Sequence, residues 1–191
     1  MDRKNDRKRI PPAAAGGFCA ALIVLVSFFF IHRVQVSSRD VVIDPQAYYQ
    51  VSKVVDGDTI RADVSGKEIT VRLLGINTPE TVDPRKPVEC YGPEASKEAK
   101  WLLEGHSVKL IASPNRETHD KYGRYLLYVY RDDGLSVNEF LVKEGFAREY
   151  TVGKAYSLQT SFRKLETEAK TAKKGLWGAC DDVQLKKPRS S

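Results

Sequence analysis

Residues 16–31 are apolar without a single charge, and nothing later in the chain repeats that pattern. The run extends to 11–31 if Pro11–Ala15 are counted, close to the roughly 20 residues that span a bilayer. A soluble helix would carry polar residues on one face. The pattern therefore predicts an N-terminal hydrophobic helix within 1–32 that threads a membrane, as a signal-anchor or as a cleaved signal peptide. Residues 33–46 are short and polar and end on Asp44-Pro45, which predicts a linker.

From Ala47 the apolar positions begin to alternate. Tyr48–Asp56, Thr59–Val64 and Glu68–Leu74 read as three successive strands, with Ser65, Gly66 and Lys67 turning between the last two. Ile69, Val71 and Leu73 share one face of the third strand, so Arg72 belongs to the other. Gly92-Pro93 opens a helix to about Glu104, and strands follow at Ser107–Ala112 and Arg124–Tyr130. Ser136 with Glu139 has the form of a capping box, and Gly145 ends that helix. A last helix, Ser157 to about Lys173, spaces Leu158, Phe162, Leu165, Ala169 and Ala172 as a core-facing stripe. Five strands with interspersed helices and no βαβ rhythm predict an α+β fold, a five-stranded OB-fold β-barrel with three α-helices, over 47–180. Residues 181–191 read as a polar, disordered tail.

Charge changes the picture only locally. The formal charge is +6, but residues 1–40 hold seven Lys or Arg against three Asp or Glu. Residues 41–191 are nearly balanced, so any polyanion site must be a cluster rather than a basic surface. Basic residues ahead of the apolar run keep the N-terminus in the cytoplasm and send everything after His32 outward. The expected location is membrane-anchored with an extracytoplasmic domain, or secreted or periplasmic after cleavage. Cys19 falls inside the apolar run, whereas Cys90 and Cys180 then lie in an oxidising space where a pair bridges.

Three polar clusters carry the candidate chemistry: DGDT at 56–59, RLLGINTPE at 72–80 and DKYGR at 120–124. Singly, each is an ordinary turn. Together they hold what phosphodiester hydrolysis needs: cations for phosphoryl oxygens and a carboxylate to manage the attacking water. Arg72 and Arg124 suit the first role, because a planar guanidinium donates paired hydrogen bonds to phosphate and stays charged. Glu80 suits the second. Asp58, Asn77 and the Thr78 carbonyl are oxygen donors of the kind a hard cation takes.

The order and spacing of DGDT, RLLGINTPE, YGPEA at 91–95 and DKYGR resemble the staphylococcal nuclease (thermonuclease) family, from about Tyr48 to Trp177. The resemblance implies calcium-dependent cleavage of DNA and RNA to 3'-phosphorylated products; the expected state is a monomer. By motif position it implies catalytic roles for Arg72, Glu80 and Arg124. It also implies calcium ligation through Asp58 and the Thr78 carbonyl, and contact of Lys121 and Tyr122 with a terminal phosphate. Where the family carries a second calcium aspartate this chain has Asn77, one negative charge fewer. Tyrosines that help bind nucleotide have only an approximate counterpart near Tyr150. A rival reading is a non-catalytic OB-fold that binds single strands on aromatic platforms. Against it, Glu80 between two arginines would repel phosphate in a pure binder.

Overall fold

The computed structural model describes residues 41–114 and 116–185. The predicted N-terminal helix, Cys19, the first part of the linker and the end of the tail lie outside them. Among the described residues no helix is long and apolar enough to cross a membrane.

The three alternating segments form an antiparallel meander of β1 (Tyr49–Asp56), β2 (Thr59–Val64) and β3 (Lys67–Leu73). β5 (Ser107–Ala112) and β6 (Tyr125–Arg131) pair antiparallel with each other. Closure comes from two further seams: β6 runs parallel to β3, and β5 pairs with the start of β1. The result is a closed five-stranded barrel in the order β1-β2-β3-β6-β5, in an α+β fold consistent with an OB-fold. Its interior is filled by Val51, Ile60, Ala62, Val71, Leu73, Leu110 and Val129. β1 departs from strict alternation, with Val51 and Val54 both buried three residues apart. A register shift between Val51 and Lys53 absorbs the extra residue, as a bulge does.

Helix α1 (Gly92–Leu103) buries Ala95, Ala99, Leu102 and Leu103, one stripe at helical spacing. Helix α2 (Val137–Lys143) begins at Ser136, but the capping box does not form, since Ser136 makes no side-chain capping hydrogen bond. Helix α3 (Gln159–Thr171) buries Phe162 and Ala169 as expected, yet Ala172 is exposed and Glu166 is buried in the stripe. Glu166 is tolerated there because Lys170 pairs with it at 3.0 Å. Residues 41–46, the described end of the predicted linker, are not free of the domain. Val41 and Ile43 pack on the core, and the Val41 N–H donates to the Tyr125 hydroxyl.

Three features were not legible in the pattern. β4 (Ile76–Asn77) and β7 (Arg148–Glu149) form a small antiparallel sheet, too short to show any periodicity. After α3, the chain makes two single turns, α4 (Leu176–Ala179) and α5 (Asp182–Leu185), the second within the stretch read as a polar tail.

Cys90 and Cys180 form the expected disulfide, with Cα atoms 6.0 Å apart across 90 residues of chain. It ties the entrance of α1 to the segment after α4. Closing so long a loop restricts the unfolded chain, so replacing both cysteines by serine should cost about 3 to 5 kcal/mol, read from urea unfolding of the oxidised protein against the double variant.

Candidate active site

Strand register assembles the site. In β3, Arg72 stands opposite Thr59 of β2 on one side and Leu126 of β6 on the other. The 56–59 turn and the entrance of β6 therefore flank the same guanidinium, although they lie far apart in sequence. Alternation sends Arg72 to the outer face of β3, as expected. It is nonetheless only 9% exposed, because the chain folds back over it at 74–78.

That fold-back surrounds the guanidinium with acceptors. Arg72 Nη1 donates to the carbonyls of Leu73 (3.0 Å) and Ile76 (2.8 Å), and Nη2 donates to Asn77 Oδ1 (3.0 Å). Asp58 Oδ2 completes the set at 3.0 Å. The same Asp58 oxygen accepts the Thr78 N–H at 2.8 Å, and its Oδ1 accepts the Thr59 hydroxyl at 3.1 Å. Two glycines make this approach possible. A Cβ on Gly57 would lie 2.7 Å from the Thr78 side chain. Gly75 has φ +81°, and a Cβ there would meet the Tyr156 ring at 2.5 Å. The Tyr156 hydroxyl donates to the Gly75 carbonyl at 3.0 Å, holding the turn from behind. Burial, then the nearby Glu149 carboxylate, pushes that phenol well above its ordinary value, so it remains a donor.

Glu80 follows β4. Its Oε1 accepts three backbone N–H groups, from Thr81 (2.9 Å), Val82 (2.8 Å) and Asp83 (3.0 Å). Its Oε2 has no hydrogen-bond partner among the described residues. Arg124 is held at its root: its backbone N–H donates to Asp120 Oδ1 (3.0 Å) and its Nε to Oδ2 (2.7 Å). Burial pushes the Asp120 carboxyl up, but these bonds outweigh it and hold it below its ordinary value. The Arg124 guanidinium lies 5.5 Å from the Tyr122 ring centre, and Lys121 Nζ lies 5.1 Å from it. Tyr122 is 65% exposed.

One cavity of about 440 Å³ is lined by Asp58, Arg72, Asn77, Thr78 and Glu80 on one side and by Lys121, Tyr122 and Arg124 on the other. All eight residues singled out from the sequence thus face one space. Asp56, Arg85, Lys86, Arg116, His119 and Tyr150 line it too. Arg116 bridges to the carbonyls of Lys154 and Val152, tying one loop to another. No local pattern announces such a contact. Asn77 is engaged on both ends, its oxygen by Arg72 and its amide N–H by the Thr78 carbonyl at 3.2 Å. Any ligand to these two oxygens shares them with bonds already present.

The model of the staphylococcal nuclease homologue family matches residues 70–179, more than half of the chain. The thermonuclease of Staphylococcus hyicus is 37% identical over 158 residues, covering 83% of this chain and 92% of that protein. The chain belongs to the staphylococcal nuclease family. The thermonuclease of Staphylococcus intermedius is 41% identical over 133 residues, 68% of this chain and 75% of that protein. The SPbeta prophage-derived endonuclease YokF of Bacillus subtilis is 44% identical over 131 residues, 66% of this chain but only 43% of its own length.

In this member of the staphylococcal nuclease family, the donor set for a divalent ion can be tested on its electrostatics. Among the described residues no three Asp, Glu, His or Cys side chains gather as a metal cluster. Two carboxylates belong to one turn, where Asp56 Oδ1 accepts the Asp58 backbone N–H at 3.1 Å. Burial, then the negative charge of Asp58, pushes the Asp56 carboxyl up to about 7. A buried carboxylate with a like charge beside it is relieved by a cation, so Asp56, Asp58 and the Thr78 carbonyl fit a hard divalent ion.

The sign of that shift sets a prediction for metal-free protein. With its folded value raised from 3.8 to about 7, Asp56 favours the folded state fully below about pH 4 and loses that contribution as pH rises through about 7. Urea unfolding in excess chelator should show wild-type stability falling across this window relative to Asp56→Asn. Parallel curves for the two proteins would mean that Asp56 does not titrate there.

Proposed function

We propose that this chain is a calcium-dependent nuclease that hydrolyses DNA and RNA outside the cytoplasm. The coarse part, a hydrolase acting on phosphodiester bonds, rests on family membership and on the thermonuclease and endonuclease relatives. The finer part is carried by one observation: two guanidiniums and a carboxylate with a free oxygen share the cavity that the carboxylate pair borders.

The chemistry follows from those groups. A phosphodiester seated in the cavity meets Arg72, already oriented by four acceptors and so needing no reorganisation as charge develops on phosphorus oxygens. Arg124 approaches from the other wall with its terminal nitrogens unpaired among the described residues, ready to donate to the same phosphate. Glu80 Oε2 orients a water and accepts its proton as the water oxygen attacks phosphorus in line. The bond to the 5' oxygen breaks, that oxygen takes up a proton, and the phosphate remains on the 3' side. Asp56, Asp58 and the Thr78 carbonyl would hold calcium, which when bound would supply positive charge to the phosphoryl oxygens. Asn77 in place of a carboxylate argues for modest calcium affinity, with Asp56 restoring part of the missing charge. Lys121 and Tyr122, at the rim, take a neighbouring phosphate and the flanking nucleotide.

Location belongs to the same proposal. The Cys90–Cys180 bridge supports an oxidising compartment, and the apolar run at 16–31 supplies a signal-anchor or cleaved signal. Export keeps a non-specific nuclease away from the cell's own genome.

Arg72→Ala and Arg124→Ala should each lower kcat by about 10²- to 10³-fold on single-stranded DNA, the scale for one preorganised oxyanion donor. A digestion assay with calcium and with excess chelator checks the metal: activity should disappear on chelation and return with added calcium. Retention of DNA without cleavage under both conditions would favour the single-strand binder instead.

A further inference from the structure

Glu80 is anchored to its own turn rather than to the barrel. The three N–H groups that hold its carboxylate belong to residues 81–83, and Val82 in that turn is 51% exposed. The hydrogen bonds of residues 81–86 stay within the loop, so the loop takes its position from its ends, and whatever fixes the ends fixes the carboxylate. Those ends meet in a reciprocal pair. The Glu80 N–H donates to Glu89 Oε2 at 3.1 Å, and the Glu89 N–H donates to the Glu80 carbonyl at 2.9 Å. The exit of the loop is packed against its entrance, since a Cβ on Gly92 would lie 2.6 Å from Thr81 Cγ2 and 3.1 Å from the Glu80 carbonyl. The next residue after Glu89 is the disulfide-bonded Cys90.

We infer that Glu89 is a positioning residue: its carboxylate closes the neck of the 80–89 loop and so aims the Glu80 carboxylate into the cavity. The backbone half of the pair survives any side-chain change, but the Glu80 N–H loses its acceptor if Glu89 is truncated. The neck then keeps one of its two hydrogen bonds, and the Glu80 carboxylate loses its fixed aim. Only the acceptor oxygen matters for this role, not the negative charge. Glutamine should therefore substitute and an apolar side chain should not.

The inference rests on the catalytic assignment of Glu80, and a double-variant comparison on the full-length protein separates the two. Glu89→Ala, and Glu89→Met as a variant of similar volume, should lower kcat about tenfold or more, with KM and thermal midpoint close to wild type. Glu89→Gln should restore kcat. Glu80→Gln combined with Glu89→Ala should be no slower than Glu80→Gln alone, because Glu89 acts through Glu80. Wild-type kcat in both Glu89→Ala and Glu89→Met, failure of glutamine to rescue, or losses that multiply in the double variant would overturn the positioning role. Wild-type kcat in Glu80→Gln would instead unseat the catalytic assignment beneath it.

Discussion

The ion pair between Arg72 and Asp58, both almost fully buried, organises the outer face of the barrel. Taking two charges out of water is expensive, and the pair persists only where the remaining donors and acceptors are also satisfied. Here they are. The end of β3 supplies the Leu73 carbonyl and the turn at 74–78 supplies the Ile76 carbonyl and the Asn77 amide oxygen to the guanidinium, while Thr78 N–H and the Thr59 hydroxyl serve the aspartate. The requirement explains the local sequence: Gly57 and Gly75 allow the close approach, and Asn77 provides an acceptor at the right point.

Satisfying a buried cation in advance also prepares it for a phosphate. A guanidinium already oriented by protein dipoles needs little reorganisation when an anion arrives, which is the physical basis of electrostatic preorganisation. The folded part of the chain is nearly neutral, so attraction for a polyanion cannot come from the surface at large. It comes from Arg72, Arg124, Lys121, Arg85, Lys86 and Arg116 around one cavity. Of this set a barrel strand carries Arg72, and the loops carry the rest.

Strand and helix positions were legible because burial imposes periods of 2 and 3.6 on the apolar residues. β2 and β5 coincide with their alternating segments, and α1 with the Gly92-Pro93 opening. The misses have separate causes. Ser136 and Glu139 have capping-box identities, but whether a hydroxyl reaches a backbone N–H is set by side-chain direction, which spacing does not encode. Ala172 continues the α3 stripe in sequence after the packing surface has ended. β4 and β7 have two residues each and exist only because tertiary contacts bring them side by side. Site residues with strong chemical identities, such as Arg72 and Glu80, could be named in advance. Arg116 and Glu89 could not, because their roles come from partners across a loop.

By itself, the chain's order of residues determined the family, the five barrel strands, the three longer helices and the pairing of Cys90 with Cys180, since each depends on local pattern, motif spacing or the count of thiols available. Tertiary structure decided the rest. The parallel seam between β3 and β6 puts Arg72 and Arg124, far apart in sequence, on one cavity. The fold-back at 74–78 turns a strand's outward-facing arginine into a buried one. Both outcomes depend on how the barrel closes, a long-range pairing that no short window of sequence contains.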